Sequence, residues 1–119
     1  MDIYKLFDAE YKFVSLIWEH EPVNSTALSL LCLRALGWKK STTYNMLRKL
    51  CERGILQNEN AVVTALIKRE QVQKYESEAL MERAFGGSVP FFVATLLRDR
   101  KLTREEALEL KRIIEEAVK

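Results

Sequence analysis

The run Lys39-Lys40-Ser41-Thr42-Thr43-Tyr44-Asn45 places two cations and five hydroxyl- or amide-bearing side chains in seven consecutive positions. That set suits one kind of chemistry. Short hydroxyl and amide groups bond to base edges in a DNA groove, while ammonium and guanidinium groups bond to the phosphates beside it. Arg48, Lys49 and Arg53 continue the cationic side, so that from Arg34 to Arg53 six basic residues stand against one acid, Glu52. The expected nucleic-acid surface is Lys39, Lys40, Ser41, Thr42, Tyr44, Asn45, Arg48, Lys49 and Arg53. Thr42 and Asn45 are expected on base edges, and Lys40, Tyr44, Lys49 and Arg53 mainly on phosphates. A solvated amphipathic helix would carry a similar face, so the elements around the run must decide.

Those elements are legible as segments. Asp8 is the expected N-cap of a first helix reaching His20, with Tyr11, Val14, Leu16, Ile17 and Trp18 as its apolar stripe and Phe13 at the edge of it. Pro22 ends it. Asn24, Ser25 or Thr26 caps a second helix to about Leu36, in which Leu28, Leu31, Cys32 and Ala35 recur at helical spacing. Gly37 closes that helix. Ser41 or Thr42 opens the third, which runs to about Arg53, with Met46, Leu47, Leu50 and Cys51 inward and the polar, basic run outward. Two β-prone stretches, Ile55–Gln57 and Ala61–Ile67, flank an Asn58-Glu59-Asn60 tip and read as a hairpin. Three helices followed by a hairpin outline a winged helix-turn-helix, and the basic run sits on its third helix.

The rest reads as helix: Glu70 to Phe85, a segment opened by Ser88, and a last helix announced by the capping box Thr103-Arg104-Glu105-Glu106. The expected fold is therefore mainly α with a small β-hairpin. A winged helix-turn-helix DNA-binding domain over 1–69 precedes a helical dimerisation domain over 70–119. Val89, Phe92, Val93, Leu96 and Leu97, with Leu110, Ile113 and Ile114, form stripes wider than a small tail can cover. A homodimer through these residues is the economical expectation.

Composition narrows the alternatives. The chain has 119 residues, 48% hydrophobic, with a formal net charge of +2. Such a length suffices to bury roughly two-thirds of the unfolded surface. No apolar run approaches a membrane span, and the opening MDIYKLFDAEYK does not read as a signal peptide; the expectation is a cytoplasmic protein with no lipid-membrane partner. Cys32 and Cys51 are isolated, and His20 is the sole histidine, so neither a metal nor a cofactor is expected. No phosphate loop, nucleophile elbow or catalytic pair is present, which argues against an enzyme and leaves no catalytic residue to name. A winged-helix module that binds protein and not specific DNA is the alternative, favoured by the near-neutral charge and by Glu59 at the wing tip, which phosphate would repel.

The segments Asp8-Ala9-Glu10-Tyr11, Ile17-Trp18, Pro22, Trp38, Thr42 and Glu52-Arg53-Gly54 resemble the opening of the penicillinase repressor family, which also includes copper-responsive repressors. The C-terminal part, with Leu102-Thr103 and Leu110, resembles that family's dimerisation helices. The resemblance covers nearly the whole chain. It implies a homodimeric winged-helix transcriptional repressor of an inducible operon, acting on a double-stranded DNA operator with inverted repeats. It also implies a membrane sensor protease as partner, since antibiotic-responsive members are released by a cut at an Asn-Phe bond. The matching pair here is Thr95-Leu96, and the wing is short, with Glu59 its one charge. The copper-responsive members' C-terminal cysteine cluster has no counterpart after Cys51. Release through a protease that recognises the Asn-Phe pair is therefore not expected.

Overall fold

The computed structural model describes residues 2–118. The elements run in the order α1 (Asp8–His20), β1 (Val23–Asn24), α2 (Ser25–Leu36), α3 (Lys40–Glu52), β2 (Leu56–Glu59), β3 (Val62–Ala65), α4 (Arg69–Phe85), α5 (Val89–Leu97) and α6 (Arg104–Ala117). The architecture is mainly helical with a small antiparallel sheet, as expected of a winged helix-turn-helix. The chain divides into two compact units, Met1–Ser77 and Glu78–Lys119. The expected division after residue 69 falls at the start of α4, whereas the units part inside that helix, because Val72 of α4 is buried in the first unit's core.

In the first unit the helix ends follow local rules. The Asn24 side chain accepts the Thr26 N–H at 2.8 Å and caps α2. Gly37 closes α2 in the left-handed region at φ 69°. Gly54 (φ 78°) turns the chain out of α3, with the Ile55 N–H donating to the Leu50 carbonyl at 3.0 Å. Two helices open earlier than their capping residues suggest. The cap position of α1 is Phe7, with Asp8 in the first turn. The cap position of α3 is Lys39, so Lys40, Ser41 and Thr42 all lie within the helix.

The sheet has order β1-β3-β2, all antiparallel. Strand β1 is an addition to the expected hairpin. Its Val23 pairs with Val63, and the Ser25 N–H donates to the Ala61 carbonyl at 2.8 Å, which ties the start of α2 to the hairpin. Asn58 and Glu59 belong to β2, and the turn is Asn60-Ala61, both at positive φ (52° and 66°). Two such residues form the turn whose twist matches paired strands.

The core joins Phe13, Val14 and Ile17 of α1 to Leu28 and Cys32 of α2, Leu47 and Leu50 of α3, and Val63 of β3. Phe13, expected at the edge of its stripe, is instead fully buried and stacks on Trp38, ring centroids 5.6 Å apart. Thr43, expected on the outer polar face of α3, is also fully buried. Each large apolar side chain taken out of water stabilises the fold by about 1.5–3 kcal/mol, and α3 is anchored by Leu47 and Leu50.

In the second unit, Ser88 caps α5 by accepting the Phe91 N–H at 3.2 Å. Thr103 and Glu106 form the expected reciprocal box at the start of α6, at 3.0 and 3.1 Å. Phe85 meets Phe91 and Phe92 edge to face at 5.2 and 5.1 Å. No residue of this unit's described part is buried. No single helix among the described residues is long and apolar enough to cross a membrane.

Candidate nucleic-acid interface

Helix α3 is held on one side and open on the other. Thr43, Leu47 and Leu50 recur at i, i+4 and i+7 and are buried, which sets which side of the helix faces inward. That orientation leaves Lys40, Ser41, Thr42, Asn45, Arg48 and Lys49 exposed, with Lys39 exposed just before them. Seven of the nine expected contact residues are thus exposed. Asn45 and Arg48, three residues apart, are joined by a 3.3 Å bond from the Arg48 guanidinium to the Asn45 amide oxygen.

The remaining two, Tyr44 and Arg53, are half-buried. The Tyr44 hydroxyl donates to Ser25 Oγ at 3.4 Å, and Lys40 Nζ stands 5.9 Å from the Tyr44 ring centre. The bond to Ser25 lowers the Tyr44 hydroxyl's pKa below its ordinary value, against a smaller effect of burial, with Thr26 and Lys40 adding to the lowering. Tyr44 therefore joins α3 to the start of α2, a role the phosphate expectation did not include.

Arg53 and Lys49 carry a second departure from expectation. Both face a buried carboxylate, that of Glu10 in the first turn of α1, which is 3% exposed. Arg53 Nη1 lies 2.9 Å and Lys49 Nζ 3.0 Å from Glu10 Oε2, and the Phe7 N–H donates to Oε1 at 2.9 Å. The second Arg53 nitrogen, Nη2, donates to the Lys5 carbonyl at 3.1 Å. Burial alone would raise the Glu10 pKa, but the Phe7 N–H, Lys49 and Arg53 outweigh it and hold the carboxyl below its ordinary value. A cavity of about 290 Å³ lies here, lined by Lys5, Phe7, Glu10, Lys49 and Arg53. Lys49 and Arg53 are four residues apart and so share a face of α3. This spacing is the one signal in the sequence that the two could share an acid.

Burial also raises the Cys32 thiol's pKa, against a smaller opposing effect of the neighbouring Thr43 hydroxyl. That hydroxyl is itself buried without a conventional hydrogen-bond partner. The wing offers little to phosphate: from Leu56 to Ala65 there is no Lys or Arg, and Glu59 is exposed. No group of three or more His, Cys, Asp or Glu among the described residues is placed to hold a metal.

The residues expected at a dimer interface lie in the second unit. Val89 is 61% exposed, Leu96 46%, Leu110 38%, Ile113 47% and Ile114 58%. Phe92, Val93 and Leu97 are half-buried within the unit. Phe91, outside the expected stripe, is exposed as well.

Comparison with known proteins gives two concordant findings. The family model described as penicillinase repressor matches residues 6–116. A protein named penicillinase repressor from Bacillus licheniformis is 26% identical over 116 residues, covering 94% of this chain and 91% of the relative.

Proposed function

The chain belongs to the penicillinase repressor family, and we propose that it is a DNA-binding transcriptional repressor, not an enzyme, that acts as a homodimer on an inverted-repeat operator. The observation that carries the reading is α3 itself. Its buried Thr43, Leu47 and Leu50 hold a polar, basic face outward, with few acids nearby to repel phosphate. Thr42 and Asn45 read base edges, the Asn45 amide being suited to adenine. Lys39, Lys40, Ser41 and Arg48 hold the backbone. A wing without cations leaves specificity to α3.

Two such helices related by a two-fold axis read half-sites about one helical turn apart or a multiple of it. The exposed apolar face of α5 and α6 supports the self-association that this geometry needs. The protein then acts in the compartment of its operator, the cytoplasm.

The experiment is selection of duplexes from a random-sequence pool by the full-length protein, followed by binding to the winning sequence. The expected product is a palindrome. Replacing Asn45 by Ala should cost about 1–3 kcal/mol on that duplex and relax preference at one base pair of each half-site. Recovery of no preferred sequence would favour the protein-binding alternative.

A further inference from the structure

We propose that Glu10 is the positioning residue of the DNA-reading helix: its buried carboxylate draws Lys49 and Arg53 inward and so sets how the last two turns of α3 sit on α1. The inference deepens the DNA-binding reading and rests on it.

The geometry carries the assignment. A carboxylate 3% exposed is costly to place inside a protein, and Glu10 is compensated on both oxygens. One oxygen accepts from the Phe7 backbone, which belongs to the start of α1, and the other meets two cations of α3. Arg53 reaches past the carboxylate to the Lys5 carbonyl, so its planar fork is held at two points. The first turn of α1 and the last turn of α3 are therefore joined by charge-assisted bonds with defined directions. Apolar contacts at Leu47 and Leu50 are non-directional and tolerate small rotations of the helix. A directional clamp at one end does not.

A second consequence concerns the cations. A surface that binds DNA only through charge gains from every free Lys and Arg, whatever the sequence. The single negative charge of Glu10 offsets one of the two positive charges of Lys49 and Arg53 and so removes one such contribution from the α3 side, while fixing the helix that carries Thr42 and Asn45. Glu10 thus trades non-specific attraction for register. Loss of its charge should do the reverse, adding one net positive charge to that side while loosening the helix.

The test uses the full-length protein, the duplex selected by the wild type and a scrambled duplex of equal length, with salt titrated for each. For Glu10→Gln the ratio of specific to scrambled affinity should fall at least about tenfold, while the salt slope steepens by about one, one unit of positive charge counting about 0.9. A residue that merely supported stability would weaken both duplexes alike and leave the slope unchanged. Glu10→Asp keeps the charge on a shorter stem, and should lose part of the ratio without steepening the slope. Thermal unfolding without DNA reports whether each variant folds. Should Glu10→Gln fail to fold, the double variant Glu10→Gln with Arg53→Gln, in which amide meets amide, should fold and keep the ratio within about threefold of wild type. The proposal is overturned by a folded Glu10→Gln that keeps both ratio and slope, or by a folded double variant with the ratio still down tenfold. A wild type that selects no sequence overturns the DNA-binding reading and this inference with it, so the two failures are distinct.

Discussion

Phe13, Val14, Ile17, Leu28 and Leu50 of the first unit are fully shielded from water, whereas in the second unit Val89, Leu96, Ile113 and Ile114 are between 46% and 61% exposed. Both units are helical and both spend a third or more of their helix positions on apolar residues. They differ in what those positions face. The first unit has three helices, a three-stranded sheet and the start of α4 to enclose a centre, and its apolar stripes converge there. The second has helices but no sheet, and no residue of its described part is fully buried. A helix stripe has to be covered by some other element to contribute to stability. The first unit encloses a core of its own; the second leaves large apolar side chains partly exposed. This is the division of labour that the proposed dimeric repressor requires, in which one unit determines which DNA is bound and the other links two such heads.

The strongest way to break that comparison is at α6. Replacing Ile113 and Ile114 together by Asp puts two charges on the apolar face without touching the first unit. The expected result is a monomer in sedimentation and a loss of about 10²–10⁴ in affinity for a two-half-site duplex, because the second half-site is no longer held at high effective concentration. Affinity for a single half-site should stay the same. An unchanged mass and an unchanged two-site affinity would show that the exposed face serves another purpose.

Core truncation in the first unit should act differently. Phe13→Ala removes a ring that is fully buried and stacked on Trp38. It should destabilise that unit by about 3–5 kcal/mol, read by urea unfolding. Because the cavity lies inside one chain, the loss should not depend on protein concentration, whereas the stability of the second unit should. A loss under about 1 kcal/mol, or one that dilution enlarges, would erase the distinction between the units.

The sequence made local features readable and tertiary ones less so. Asn24, Gly37, Gly54, Ser88 and the Thr103-Glu106 box act within a few residues of themselves, and each stands where its own chemistry places it. The outward face of α3 was readable for the same reason, since its polar run is contiguous. Phe13 and Thr43 were misplaced because a helical wheel ranks positions by polarity, while burial is decided by what packs opposite. Trp38 covers Phe13, and Thr43 lies against α2 beside Cys32. Strand β1 is two residues long and shows no periodicity; it exists because β3 has a free edge beside it. Glu10 stands in the first turn of α1, where an acid is favourable, and only the fold brings Arg53, 43 positions away, to it.

The smallest expected effect sharpens the account of the wing. Ala61 sits at φ 66°, a conformation in which its Cβ crowds the backbone, at a cost of roughly 1–2 kcal/mol. Its neighbour Asn60 (φ 52°) tolerates that region better, since Asn visits it more readily than other side chains. Ala61→Gly removes the crowding and creates the Asn-Gly pair that such turns favour, while the freer unfolded chain takes back about 0.4–1 kcal/mol. A net gain of about 0.8 kcal/mol follows, the difference between the midpoints of those two ranges, seen as a rise of a few degrees in the unfolding midpoint of the first unit. The Ala61 carbonyl also accepts the Ser25 N–H at 2.8 Å, so the turn helps hold the N-terminus of α2. If the strain is confined to the turn, the gain should appear in stability and leave DNA affinity unaltered, since the wing carries no cation. A variant that is stabilised yet binds the selected duplex more weakly would mean that the wing's shape reaches the DNA after all.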